Sequence, residues 1–284
     1  MKIAITTMVY NERVNLPIWI RHYAGHCPGA ALFVVDHGSN DDSTRGLTGV
    51  NLVPLPRSPF DDQTREEFVA DFQHALLRFY DVVIYTDCDE MLVADPRKHV
   101  SLASFLAATR SEVIAPTGVL LLHRLGIEPP IDPSAPILGQ RRYVWFRAGM
   151  CKPSIARVPL RWSTGFHSCD RIPDYRTDLY QFHLSAMDVD IAQERWELTR
   201  TMAWSERALT HGWGSHQRQS RSERFHWAFE VPAEHIKVHG AAPFAFEADL
   251  KRVVDSTRMV NRFYQFDWFA GRIAQVPEGF FGLI

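Results

Sequence analysis

The chain is poor in cysteine: only four occur among its 284 residues, Cys27, Cys88, Cys151 and Cys169. They lie far apart with no Cys-x-x-Cys pair, which suggests neither a disulfide framework nor a zinc site of paired thiolates. Reduced, mostly buried thiols are expected. Long apolar runs are missing too, with no stretch of 18 or more such residues, so no membrane-spanning helix is expected. The sequence begins Met1-Lys2 and passes at once into a strand pattern, without the basic, apolar and small-residue sections of a secretory signal. A cytoplasmic protein is expected, at most working at the inner face of the membrane. There is no excess of either charge: 31 Lys and Arg stand against 33 Asp and Glu, with a pI near 6.7. That balance argues against the basic field of a general nucleic-acid binder, and no nucleic-acid partner is expected. No internal repeat or low-complexity tract occurs. What is plentiful is apolar surface, 46% hydrophobic and 12% aromatic residues, enough to bury the core of one large domain or two smaller ones.

The order of elements suggests an α/β fold. "KIAITTMV" (Lys2 to Val9) is a β-branched strand, "YNERVN" a polar loop, and "LPIWIRHYAG" a helix with Leu16, Ile20 and Tyr23 at helical spacing before Gly25. "ALFVVD" (Ala31 to Asp36) is a second strand, "HGSNDDST" a run of turn-formers, and "VNLVPL" a candidate third strand. "DDQTREEFVADFQHALLRF" places Phe68, Phe72, Leu76 and Phe79 on one helical stripe. The fourth strand is "DVVIYTDCDEMLV" (Asp81 to Val93). Strands apolar throughout, alternating with helices, indicate a mostly parallel sheet covered on both faces. Beyond Pro96 come a short helix (Leu102 to Thr109), a strand (Val113 to Leu122), a Pro-rich surface loop "GIEPPIDPSAP" and short strand-like pieces from Gln140 to Leu184. Asp188 then caps a long helix expected over Val189 to Leu209, and the tail reads as helical from Ala248 to Phe269. The expected division is 1–95, 96–187 completing the same domain, and a helical C-terminal extension over 188–284.

The fourth strand runs into three carboxylates, Asp87, Asp89 and Glu90. In open α/β sheets ligands collect beyond the carboxyl ends of the strands. If the segment stays extended, Asp87 and Asp89 face one way with Cα atoms about 6.6 Å apart, which suits a shared Mg²⁺ or Mn²⁺ and its phosphate ligand. The other reading is a solvated acidic turn.

Three motifs in register bear on that choice. "MVYNERVNLPIWIRHY", "FVVDHGSNDDST" and "YTDCDEML" resemble, in this order and spacing, the nucleotide-sugar-dependent glycosyltransferases of the GT-A fold. The first two look like the family 2 pattern. The surroundings of the third look closer to the family 92-like branch, with its Gln before a helix, here Gln63, and an Asp-x-Asp-Glu-Phe motif in which Met91 replaces the Phe. The likeness covers residues 3 to 95 well and weakens toward residue 185. It implies a Rossmann-like GT-A domain with a C-terminal acceptor-side extension, a divalent Mn²⁺ or Mg²⁺ ion, and a nucleotide-sugar donor, UDP-sugar first. The acceptor would be a hydroxyl of a glycan or lipid-linked saccharide, as in polysaccharide biosynthesis, and the transfer inverting.

The resemblance also implies site roles. Tyr10 would stack on the base, with Asn11, Glu12 and Asp36 hydrogen-bonding base or ribose. Asp87 and Asp89 would hold the ion on the donor diphosphate, with His183 in "LYQFHL" as a third ligand, although a satisfied core histidine is the competing reading. Lys152 would pair with the diphosphate, and His167 in "GFHSCD" with acceptor or phosphate. For the general base that an inverting transfer needs, the candidates are Asp170, then Asp174 and Glu90. The basic, aromatic stretch from His211 to Trp227 suits a phosphorylated or sugar acceptor, or is a solvated connection. Trp268, Phe269, Phe280 and Phe281 are either core or a peripheral membrane contact. Two other functions stay open. A nucleotidyltransferase would favour a Gly-rich basic loop after the first strand, and "VYNERVN" has no Gly; a non-catalytic nucleotide-sugar-binding protein would keep the fold without turnover.

Overall fold

A computed structural model describes residues 1–230 and 243–284, without the Trp227 side chain. Strands β1 (Ile3–Val9), β2 (Ala31–Asp36), β3 (Asn51–Pro54) and β4 (Val82–Tyr85) lie in the order β3-β2-β1-β4 and pair in parallel. The continuous apolar runs of β1, β2 and β4 are covered by helices α1 (Asn15–His26) and α2 (Asp62–Leu76), while β3 is a mostly exposed edge. Chain order reverses between β1 and β4, so their carboxyl ends open the crevice where such sheets take ligands.

Beyond β4 the sheet becomes mixed. A two-residue strand β8 (Ile155–Ala156) bridges β4 to the long β6 (Val113–Leu122), and β7 (Tyr143–Arg147) and β12 (Ala270–Gln275) continue the sheet antiparallel. β9 (Asp174–His183) runs parallel to β6 and antiparallel to β5 (Glu90–Ala94). The chain therefore adopts the α/β architecture expected from its sequence, parallel over its first half and flanked by helices. Among the described residues no helix is long and apolar enough to cross a membrane.

One glycine decides the geometry near the site. A Cβ on Gly118, in β6, would overlap the Met150 carbonyl and lie 2.6 Å from Cys151 N. Its absence lets the 148–152 segment press onto β6, which fixes where Lys152 emerges.

Several expectations are corrected. The buried face of α2 is Asp62, Glu66, Val69, Ala70, Gln73 and Leu76; of the expected stripe Leu76 is buried, Phe68 and Phe72 are half-buried against the core, and Phe79, past the helix end at Leu76, is 74% exposed. The long helix is interrupted: α4 (Val189–Thr201) stops, Phe60 and the 203–205 segment exchange backbone hydrogen bonds of 2.7 and 3.0 Å, and Ser205 caps a new helix α5 (Glu206–Thr210). A further helix α6 (Arg221–Phe229) follows. In the tail only α7 (Glu247–Ser256) is helical, before the hairpin β10 (Arg258–Val260) and β11 (Phe263–Gln265) and then β12. Phe280 and Ile284 are buried in the core, and all four cysteines are buried and unpaired.

Candidate active site

The acids after β4 do not continue the strand. Glu90 N–H donates to Asp87 O at 3.0 Å, and the Glu90 carboxylate turns back to accept from Asp87 N–H, also at 3.0 Å. The segment is a tight turn, which corrects the extended geometry expected for Asp87 and Asp89: the two side chains take separate partners.

Asp87 is held by cations. One of its oxygens accepts from the Arg65 guanidinium and, at 3.2 Å, from the Tyr85 hydroxyl; the other accepts from Lys152 Nζ at 2.8 Å. Burial alone would raise this carboxyl, but Arg65 and then Lys152 outweigh it and hold it well below the usual carboxylate range. Lys152 Nζ also lies 2.7 Å from Glu90 Oε1, as an ion pair rather than a well-angled hydrogen bond. Burial pushes the Glu90 carboxyl up against the pull of Lys152. At 1% exposure Glu90 orients Lys152 from beneath and is out of reach of a substrate proton.

His183 ends β9 beside this turn. Its Nδ1 is 3.7 Å from Asp89 Oδ2 and its Nε2 3.7 Å from Glu90 Oε1. Nδ1 accepts from Ser185 N–H at 3.3 Å, a hydrogen bond it would have to give up to ligate an ion.

The loops after β1 and β2 form the other wall. Asn11, at a positive φ of 54°, exchanges hydrogen bonds of 2.9 Å with Asn40, and its N–H donates to Ser39. Asp36 accepts from Ser39 N–H at 2.8 Å and Thr44 Oγ at 2.7 Å, the pattern of a turn cap, so a nucleotide would share oxygens already engaged. The Arg57 guanidinium lies 3.6 Å from the Tyr10 ring centroid, covering one face of the ring expected to stack on a base. Gly38, at a φ of 72°, allows this approach, because a Cβ there would lie 2.8 Å from Arg57 N. Glu12 pairs with Arg195 of α4 at 2.7 Å, and Arg195 also donates to Tyr10 O at 2.9 Å. Gln63 lies inside the first turn of α2 and donates to Glu67 at 2.8 Å, away from these loops' contacts.

A hairpin from Arg161 to Asp170, closed by a bridge between Trp162 and Cys169, brings its tip to α2 and Lys152. At the tip Gly165 N–H donates to Glu66 Oε1 at 2.7 Å, and burial pushes the Glu66 carboxyl up to about 8. His167 Nδ1 lies 2.6 Å from Gly149 O, and its ring meets Trp268, 65% exposed, edge to face at 4.7 Å. Burial and then the Lys152 charge push the His167 imidazole down to about 3, so it is neutral. Asp170 lies at the hairpin's base, accepting from Arg161 N–H at 3.1 Å. Asp174 is not brought to the site: it opens β9 opposite Ile114 whereas His183 lies opposite Leu120, about 20 Å along β6, and it binds Ser111 and Arg176.

Sequence reasoning missed Arg65, Tyr85, Arg195 and the buried polar face of α2. Asp62, 4% exposed at the start of that helix, accepts no hydrogen bond among the described residues. Burial raises its carboxyl against the charge of Arg65, and Asp87 adds to the rise. The spacing of Asp62, Glu66 and Gln73, one face of a helix, was the available signal. In the basic stretch, Arg218 donates to Trp213 O at 2.7 Å and its guanidinium lies 4.6 Å from the Trp204 ring centroid, while the Trp227 side chain falls outside the described residues.

Among the described residues no group of three or more His, Cys, Asp and Glu side chains could hold a metal ion. The Asp89–His183 separation of 3.7 Å falls between the roughly 3.0 Å of adjacent and 4.2 Å of opposite ligands on an octahedral ion with bonds of about 2.1 Å, so the pair would close by about 0.7 Å to share one, and such ions take their remaining ligands from phosphate and water. Asp87 fits less well, since both its oxygens already bind cations.

No family model matches the sequence, and no curated protein does. Among solved structures the chain is similar to TarS from S. aureus at 15% identity and a TM-score of 0.38, over 96% of this chain and 60% of that one. It is also similar to the mannosyltransferase PcManGT from Pyrobaculum calidifontis, whose structure holds GDP-Man and Mn²⁺, at 14% identity and a TM-score of 0.28, over 43% of this chain and 35% of that one. The chain thus spans less than two thirds of the length of either protein. Likenesses this loose say nothing of chemistry, which rests on the residues themselves.

Proposed function

We propose that the chain is a glycosyltransferase of GT-A type, moving a sugar from a nucleotide-sugar, UDP-sugar first, to a hydroxyl of a glycan or lipid-linked saccharide with inversion. The observation that carries this reading is the meeting, at the crevice between β1 and β4, of the Asp89–His183 pair with the buried cations Arg65 and Lys152. A nucleoside diphosphate is the leaving group such a site is equipped to receive. A Mn²⁺ or Mg²⁺ ion held by Asp89 and His183 would supply Lewis-acid stabilisation of that diphosphate. Tyr10, Asn11, Glu12 and Asp36 line the nucleoside side, and Arg195 holds their loop against α4.

The proton of the attacking hydroxyl falls to Asp62. Glu90 is sealed beneath Lys152, Asp170 is tied into its hairpin, and Asp174 lies at the far end of β9. The Asp62 carboxylate accepts no hydrogen bond among the described residues and adjoins the Arg65–Asp87 pair, and a raised carboxyl is suited to accept a proton. On the acceptor side stand the His167 hairpin tip and the exposed Trp268.

The test is turnover. Protein incubated with UDP- and GDP-sugars, Mn²⁺ and a panel of oligosaccharides should release nucleoside diphosphate and form a longer glycan. Asp89→Ala should abolish both, and Asp62→Asn should lower kcat at least 100-fold with donor affinity kept. Nucleotide binding without any transfer or donor hydrolysis would favour the non-catalytic reading.

A further inference from the structure

Asp87 sits where its surroundings suit a different anion. Arg65 reaches it from the first turn of α2 and Lys152 from the segment pressed onto β6, two elements far apart in sequence that converge on one carboxylate. The exposures run the unexpected way: the side chains of Arg65 and Lys152 are 17% and 8% exposed, while Asp87, at 22%, faces the crevice most. Burying a cation is costly in desolvation, and Asp87 draws on two of them although one, Lys152, is also paired with Glu90. Glu90 offsets part of the Lys152 charge from below, and Tyr85 adds a hydroxyl donor to the same Asp87 oxygen as Arg65. Two cations and a hydroxyl aimed at one oxygen-bearing anion form a subsite with the donors and charge a diphosphate requires.

We propose that the Asp87 carboxylate is an internal stand-in for the donor's diphosphate: it occupies the anion subsite in the free protein, and Arg65 and Lys152 transfer to the diphosphate when the donor displaces it. The inference rests on the donor reading above and sharpens it. The diphosphate is gripped by side-chain cations as well as by an ion at Asp89 and His183, and Asp87 acts as a competitor for the cations rather than as a metal ligand.

A metal ligand and an internal competitor respond oppositely to one isosteric change when the ion is present. UDP, inorganic pyrophosphate and uridine would be titrated calorimetrically in EDTA and with Mn²⁺ into the wild type and Asp87→Asn, and with Mn²⁺ into Arg65→Gln. With the competing charge removed, Asp87→Asn should bind UDP and pyrophosphate at least five-fold tighter than wild type both in EDTA and with Mn²⁺, with uridine affinity unchanged. Arg65→Gln should weaken UDP binding at least ten-fold in Mn²⁺, again leaving uridine unchanged, and this arm stands alone if Asp87→Asn folds poorly. Unchanged or weaker UDP binding by folded Asp87→Asn in either condition, or Arg65→Gln matching wild type, overturns the inference. If wild type binds UDP with Mn²⁺ while these arms fail, the donor reading survives without it; if wild type binds neither UDP nor uridine under any condition, both fall.

Discussion

Lys152→Met tests the electrostatic foundation of the site. Lys152 is buried and paired with two carboxylates, at 2.8 Å to Asp87 and 2.7 Å to Glu90. Asp87 would keep Arg65 and Tyr85, whereas Glu90, 1% exposed, would keep the Asp87 N–H at 3.0 Å and His183 at 3.7 Å but lose its lysine. Stranding one member of a buried pair costs about 3–5 kcal/mol. With an unfolding entropy of roughly 2.1 cal/mol/K per residue, 284 residues give about 0.6 kcal/mol/K and hence a fall in Tm of about 5–8 °C. The double variant Lys152→Met, Glu90→Gln removes both charges and keeps an oxygen for Asp87 N–H, so most of the loss should return. The assay is thermal unfolding at pH 7 of wild type, both single variants and the double variant. A fall below about 2 °C for Lys152→Met, or a double variant as unstable as the sum of the singles, would refute the claim that Lys152 neutralises Glu90.

Three further outcomes follow from geometry and burial. Glu66 has its carboxyl raised to about 8 from an ordinary 4.5. The folded state therefore holds this proton more tightly, and its stabilising contribution is complete below about pH 4.5 and lost as pH rises through about 8. At about 1.4 kcal/mol per pH unit the loss is at most roughly 5 kcal/mol; Glu66→Gln, which still accepts from Gly165 N–H, should flatten the decline between pH 5 and 8 in urea titrations and exceed wild type at pH 8.5. Gly118→Ala should cost at least about 3 kcal/mol, the upper end of overpacking, because its Cβ meets backbone that cannot rotate away. Gly25→Ala in α1, with nothing within 4 Å of the added Cβ, should be neutral or stabilising in the same thermal scan.

What the sequence made legible was the local and the repetitive. β1, β2 and β4 read as continuous apolar runs, and the crevice at their carboxyl ends followed from α/β topology. Harder to see was the polar face of α2: Phe68 and Phe72 suggested the inward stripe, yet Glu66 and Gln73 are buried because the 157–168 chain folds over them, Glu66 accepting from Gly165 N–H at 2.7 Å and Gln73 donating to Val158 O at 2.9 Å. The Asp87–Glu90 turn was equally hidden, since Glu90 must leave β4 to pair with His183 on β9. The cation set is long-range. Arg65 meets Asp87 across 22 residues, Lys152 across 65, and Arg195 meets Tyr10 across 185, separations at which no local pattern operates. Met202 to Ser205 break the expected helix for a similar reason, drawn out by Phe60.

The most direct measurement is an X-ray structure of the protein soaked with UDP and Mn²⁺, read by anomalous scattering at the manganese edge. The expected result is one manganese peak between Asp89 and His183, with the diphosphate against Arg65 and Lys152 and the nucleoside along Tyr10 to Glu12 and Asp36. UDP bound outside the crevice between β1 and β4, or manganese bound away from Asp89 and His183 with UDP present, would contradict the proposed site.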